Sequence, residues 1–210
     1  MSSAFNIVVL ISGTGSNLAS IIDKQQQYNY KVSLVVSNQK SAKGLDFAKQ
    51  NNIPIFTFNW DKSDRLLLDV QNIIRQHNCQ LIVLAGFMKI LPSPFIDEFK
   101  QKIINIHPSL LPKYPGLNTH QRVIDNKDQT HGASVHYVNA QLDAGEIISQ
   151  TSINVDLNSN AESLGKQLLF REHSLLPYTI HLIGQNRVEW RDDKLYFDHK
   201  ILTTPIIIYD

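Results

Sequence analysis

Apolar residues fall along this chain in a rhythm that holds to His107 and changes after Pro112. Asn6 to Ile11 is an unbroken Ile/Val/Leu run, which suits a strand buried on both faces of a parallel sheet. A polar turn, Ser12-Gly13-Thr14-Gly15-Ser16-Asn17, leads into an amphipathic helix with Leu18, Ile21 and Ile22 on one side. Lys31 to Val36 reads as a second strand, Ala42 to Asn51 as a second helix, and Ile53 to Phe56 as a third strand. From Ser63 to His77, Leu66, Val70, Ile73, Ile74 and His77 line one helical face. Leu81 to Ala85 is apolar again and breaks at Gly86; Phe87 to Leu91 then leads to a helix start at Pro92-Ser93-Pro94. The last strand of the series, Ile103 to His107, is ended by Pro108, which cannot donate to a sheet ladder. Such alternation predicts an α/β fold: a Rossmann-like, doubly wound, mainly parallel sheet in the N-terminal half.

Beyond Pro112 the pattern predicts antiparallel strands and a long helix. Lys113 to Gly116 is turn-rich, and Thr119 to Asn126 reads as a short helix. Ser134 to Asn139 and Glu146 to Val155 read as strands joined through Gln141 to Gly145. Ala161 to Ile183 carries a helical pattern that Pro177 should kink or end. Two short amphipathic strands follow Val188, and Pro205 to Ile208 reads as an edge strand. One domain over 1–210 is expected, with a parallel phosphate-binding half (1–110) and a C-terminal half (111–210).

Composition narrows the partners. The 210 residues are 42% hydrophobic and 19% charged, with 20 basic against 19 acidic side chains. That is a soluble, globular balance with no basic track for nucleic acid and no polybasic patch for a membrane. The lone Cys79 excludes an intrachain disulfide and suits a reducing compartment. Met1 to Phe5 has no basic region, and the apolar run stops at Ser12-Gly13, too early for a leader or a span. A cytoplasmic protein is expected.

Three suspicious segments lie where predicted strands end: Gly13 to Asn17, Gly86 to Leu91, and Asn105 to His107. Doubly wound sheets bind their ligands at that edge. The glycine turn opens a helix, where backbone N–H groups and the helix dipole favour an anion. It is neither a dinucleotide fingerprint, since Leu18 stands where the third glycine belongs, nor a Walker loop; a tight turn with a Ser or Asn cap is the plainer alternative. Asn105 and His107, two apart on a strand, point one way. An amide and an imidazole there could donate to a developing oxyanion and move a proton, or could simply tie down the next loop. Asp143 is an ordinary turn aspartate unless its loop reaches His107, whose charged form it would favour. His107, His120, His131 and His136 match no zinc spacing, so no metal is expected. His136 fits a sheet-face position equally well, and Cys79 an inert thiol.

Three blocks together resemble the phosphoribosylglycinamide formyltransferase family over essentially the whole chain. They are Ile11-Ser12-Gly13-Thr14-Gly15-Ser16-Asn17, Leu84-Ala85-Gly86-Phe87-Met88-Lys89-Ile90-Leu91, and Asn105-Ile106-His107-Pro108-Ser109-Leu110-Leu111-Pro112-Lys113-Tyr114-Pro115-Gly116. The central block marks folate-dependent formyltransferases, and the first narrows the resemblance to this family. It implies transfer of a formyl group from 10-formyltetrahydrofolate, a cosubstrate, to the amine of 5-phosphoribosyl-glycinamide in purine biosynthesis. By that resemblance Asn105, His107 and Asp143 are catalytic. Gly15, Ser16 and Asn17 hold the phosphate, and Glu172 contacts the glycinamide. Met88, Lys89, Ile90, Leu91 and Asn105 line the folate pocket, which the C-terminal half completes, and Arg65 aligns across a gap with a folate-contacting arginine. Thr14 and Lys89 depart from the Asn and Arg frequent at those positions. A formyltetrahydrofolate hydrolase and a non-catalytic nucleotide-binding module are the rival readings. Partners are expected to be small molecules, the protein a monomer or a homodimer.

Overall fold

The structure is a computed structural model that describes residues 4–59, 64–156 and 159–209. The start of the helix expected from Ser63 and the first three residues of the amino terminus lie outside them. The chain divides into two compact units, one running up to Ile104 and the other from Asn105 on.

In the first unit, β1 (Phe5–Ile11), α1 (Ser16–Lys24), β2 (Tyr30–Ser37), α2 (Leu45–Gln50), β3 (Ile55–Thr57), α3 (Asp64–Gln76), β4 (Leu81–Leu84) and α4 (Ser93–Glu98) follow one another. Strand order is β4-β1-β2-β3, and β1 pairs in parallel with β2 and with β4, as β2 does with β3. The chain therefore winds outward from β1 to β3 and returns to the other side of β1, the expected doubly wound topology. Ile7, Val8, Val9, Ile82 and Val83 have no exposed surface, as strands covered on both faces require. The helix expected from Ala42 begins only at Leu45, because Gly44 N–H donates instead to Gly13 O at 3.1 Å.

The strand β5 (Ile103–His107) is where the first unit passes into the second. There follow α5 (Thr119–Asp125), β6 (Thr130–Tyr137), β7 (Ile147–Asn154), α6 (Ala161–Gly184) and four short strands: β8 (Val188–Arg191), β9 (Lys194–Phe197), β10 (Lys200–Ile201) and β11 (Ile206–Ile207). β6 and β7 are antiparallel, and β11 runs parallel to β7 at the sheet edge, as expected of the final apolar run. β8, β9 and β10 form a separate antiparallel sheet. β6 starts four residues before the expected Ser134, since His131 and Gly132 pair with Ile153 and Ser152 despite poor strand propensity.

Pro177 does not end α6. Its missing N–H costs a helix interior about 3 kcal/mol, but α6 packs on β6 and β7 and buries Leu168, Leu175, Leu176, Ile180 and Leu182 completely. At about 1.5–3 kcal/mol for each such side chain, packing outweighs the break several-fold. Thr179, two residues past Pro177, donates its hydroxyl to Leu175 O at 2.8 Å and meets Ser149 of β7 at 2.6 Å. Among the described residues, no helix is long and apolar enough to cross a membrane.

Candidate active site

In the first unit the glycine turn and the 86–91 segment both follow strands adjacent in the sheet, β1 and β4. That pair is also where the winding reverses, the position at which such sheets leave a crevice. Helix α1 opens at Gly15, which has φ 76° and makes no side-chain cap. The first helical bond runs from Ala19 N to Gly15 O at 2.9 Å, so earlier amides of the turn are directed out of the helix end. The Ser or Asn cap of the plainer alternative is absent, and the turn presents backbone donors at a positive dipole end. A Cβ on Gly15 would come within 2.4 Å of Gly44 Cα, so the turn is held tight against the loop before α2.

The 86–91 segment is divided by burial. Met88 and Ile90 are 69% and 71% exposed, whereas Leu91 is 6% exposed and belongs to the core. Met88 and Ile90 are thus bare apolar side chains at a strand end, suited to an aromatic ring, while Leu91 has only its backbone to offer. Arg65, in the first turn of α3, is exposed.

In the second unit Asn105, His107 and Asp143 come together. Asn105 Nδ2 lies 3.5 Å from Asp143 Oδ1, and His107 Nδ1 is 3.4 Å from Asp143 Oδ2. Asp143 sits in the β6–β7 loop at φ 50°, a backbone state that aspartate tolerates better than most residues. Gly116 N–H donates to its Oδ2 at 2.8 Å. The loop after β5 and the loop after β6 are therefore joined through one carboxylate.

His136, whose place the alternation left open, completes the cluster. Its Nδ1 faces Tyr137 O at 2.8 Å; a carbonyl only accepts, so Nδ1 carries the hydrogen. In the neutral ring Nε2 is then an acceptor, and it stands 3.2 Å from Asn105 Nδ2. This fixes which end of the Asn105 amide points inward. One amide hydrogen is given to His136, while the other meets Asp143 only at the limit of hydrogen-bond reach. A bulge between Val135 and His136 interrupts the register with β7, a local irregularity that alternation along the sequence does not announce.

The electrostatics follow from burial. His107 is 5% exposed, and burial lowers its pKa against the opposing pull of the Tyr114 carbonyl and Asp143. At neutral pH the resting imidazole is neutral rather than charged. Its Nε2 donates to Tyr114 O at 2.8 Å, leaving the Nδ1 lone pair toward a carboxylate. A proton arriving at Nδ1 would find that acceptor waiting. Burial by itself would raise Asp143, yet its carboxyl is held below the ordinary value by the Gly116 amide, which donates to it, and by His136 and His107 whenever those rings carry a proton toward it. It is a carboxylate at neutral pH.

His120 and His131 form a second pair, Nδ1 to Nε2, at 2.9 Å. Burial and the neighbouring imidazole push His131 down to about 4. Glu172 is buried on α6. Burial pushes the Cys79 thiol up to about 11, in keeping with an inert role. Among the described residues no group of three His, Cys, Asp or Glu side chains is arranged to hold a metal ion.

This chain belongs to the formyl transferase family, whose model matches residues 5–180. Among its relatives, the phosphoribosylglycinamide formyltransferase of Escherichia coli (strain K12) is 37% identical over 198 residues, covering 92% of this chain and 93% of that protein. The enzyme of the same name from Haemophilus influenzae is 40% identical over 201 residues, with 93% and 95% covered. The solved structure of the phosphoribosylglycinamide formyltransferase from Coxiella burnetii, in complex with CHES, superposes with a TM-score of 0.91 at 35% identity, covering 97% of this chain and 99% of that one.

Proposed function

We propose that this chain transfers the formyl group of 10-formyltetrahydrofolate to the primary amine of 5-phosphoribosyl-glycinamide, giving the N-formyl product and tetrahydrofolate for purine biosynthesis. The observation that carries the reading is the meeting of Asn105, His107 and Asp143 around one carboxylate, in a chain of the formyl transferase family.

The amine nitrogen attacks the formyl carbon, and the carbonyl oxygen takes up negative charge. The second Asn105 N–H, only loosely engaged by Asp143, and His107 Nε2–H supply donors to that oxygen. For Nε2 this exchanges the Tyr114 carbonyl for the oxyanion. A solvent proton taken up at His107 Nδ1, toward Asp143, strengthens the donation as charge develops and is returned to solvent when the oxyanion collapses. Collapse breaks the bond from the formyl carbon to the folate nitrogen, and the proton lost by the amine is delivered to that nitrogen. The formyl donor is already activated, so no metal is required.

The other assignments support this chemistry. Gly15, Ser16 and Asn17 hold the phosphate at the start of α1, contributing binding remote from the reacting atoms. Met88, Lys89, Ile90 and the Leu91 backbone, with Asn105 and Arg65, bind the folate. Glu172 contacts the glycinamide. The protein functions in the cytoplasm, as a monomer or a homodimer.

The test is purified protein with 10-formyltetrahydrofolate, following deformylation with and without 5-phosphoribosyl-glycinamide. Amine-dependent turnover is expected. Turnover indifferent to the amine would make the protein a hydrolase. Phosphate-ligand binding without any turnover would make it a binding module.

A further inference from the structure

Ser12, the first residue past β1, is bonded three ways. Its N–H donates to Gly86 O at 3.2 Å. Its hydroxyl accepts from Met88 N–H at 2.8 Å and donates to Asn38 Oδ1 at 2.6 Å. The donation to Asn38 fixes where the hydroxyl hydrogen goes, so the lone pairs are left for Met88. Asn38 itself is 5% exposed, at the end of β2. The relay thus has one polarity, from the Met88 amide through the Ser12 hydroxyl to the Asn38 carbonyl oxygen. It spans the carboxyl ends of three adjacent strands, β4, β1 and β2.

The location is what gives this relay a consequence. Ser12 directly precedes Gly13 to Asn17, and Met88 begins the exposed apolar stretch 88–90. The loop beyond Asn38 also returns to the turn, where Gly44 N–H meets Gly13 O at 3.1 Å. No regular secondary structure holds residues 85–92, so Ser12 supplies two of the bonds that set the course of that segment. A serine hydroxyl at a strand end is commonly a local turn-former, bonded within a few residues. Here both side-chain bonds reach across the sequence, by 76 and 26 residues.

We propose that Ser12, backed by Asn38, is a positioning residue that couples the phosphate-binding turn to the 88–90 folate-binding segment, so that filling either one orders the other. The inference rests on the formyl-transfer reading for the identity of the two substrates. Ser12 touches neither substrate's reacting atoms; it acts through the backbone of Met88 and of the turn.

The experiment compares wild type, Ser12→Ala and Ser12→Thr, the last restoring a hydroxyl. Steady-state kinetics are run against both substrates, and amide hydrogen exchange of the 86–91 segment is followed with and without inorganic phosphate. Ser12→Ala should raise KM for the folate and for the phosphorylated amine together, each about five- to tenfold, roughly one lost hydrogen bond, with the turnover number changed less. Ser12→Thr should recover most of both. Phosphate should slow exchange at Met88 in wild type and in Ser12→Thr but not in Ser12→Ala. A KM change confined to one substrate, or phosphate protection that survives in Ser12→Ala, overturns the coupling. If wild type transfers no formyl group, the functional reading fails by itself. The exchange comparison then judges the clasp alone, and equal phosphate response in wild type and Ser12→Ala refutes it.

Discussion

Three glycines at the ends of β1 and β4 separate two costs that the glycine turn avoids. Gly13 has open space where a Cβ would go, and its φ lies outside the left-handed range. Gly86 has φ +74° but likewise nothing within 4 Å. Gly15 combines φ +76° with a Cβ position 2.4 Å from Gly44 Cα, a backbone atom that cannot swing aside. Alanine at position 13 should therefore be neutral or slightly stabilising, because it restricts the unfolded chain by about 0.4–1 kcal/mol without strain. Alanine at 86 carries the left-handed backbone cost alone, about 1–2 kcal/mol. Alanine at 15 adds the displacement of packed backbone, another ~1–3 kcal/mol, for a total of ~2–5 kcal/mol. For a chain of this size each kcal/mol moves the melting midpoint about 2–4 °C, giving a loss of roughly 2–8 °C at Gly86 and 4–20 °C at Gly15. Thermal unfolding with and without inorganic phosphate reads both stability and site integrity, since a ligand that binds only the folded state raises the midpoint. Gly15→Ala should also lose the phosphate-induced shift, while Gly13→Ala should keep its fold. Equal losses at 15 and 86 would show that the close approach to Gly44 carries no cost. A loss at 13 as large as at 15 would remove the conformational argument altogether.

Other outcomes follow from the cluster around Asp143. Asn105→Ala and His107→Ala should each lower kcat about 100- to 1000-fold with little change in KM; near-normal turnover in either removes its assigned role. His136→Phe keeps the ring volume but deprives Asn105 of its inner acceptor. It should lower kcat about five- to tenfold, the value of one positioning hydrogen bond, while leaving phosphate binding intact, and an unchanged kcat would deny His136 any hold on the amide. Acid should destabilise the second unit before ordinary carboxylates titrate. His131 sits at about 4 folded against an unfolded value near 6.5, so between those two pH values only the unfolded chain takes up the proton. Stability is full above about pH 6.5, falls as pH drops and levels off below about 4, a loss of about 3 kcal/mol. His131→Phe should flatten that slope, and an unaltered slope in the variant would place the acid sensitivity elsewhere.

Much of this protein follows from local chemistry that its sequence carries openly. Unbroken apolar runs announce strands covered on both sides, and the paired glycines announce a tight turn at a helix start, because both depend on residues close together in the chain. Asn105 and His107 share a strand, so their common direction was legible from a spacing of two. Helix α6 shows the limit of such reasoning: Pro177 is a local breaker, and burial of its neighbours against β6 and β7, invisible to propensity, keeps the helix whole. His136 shows it again. Alternation could offer it a sheet-face position, but only the fold brings its Nε2 to the Asn105 amide, 31 residues away. The charge on His107 was likewise undecided in one dimension, because a carboxylate partner pulls its pKa up and burial pulls it down. Contacts made by neighbours in sequence could be read in advance. The balance between desolvation and partner charge, and the meeting of residues from separate loops, belong to the tertiary structure, because both depend on what surrounds a group in space rather than along the chain.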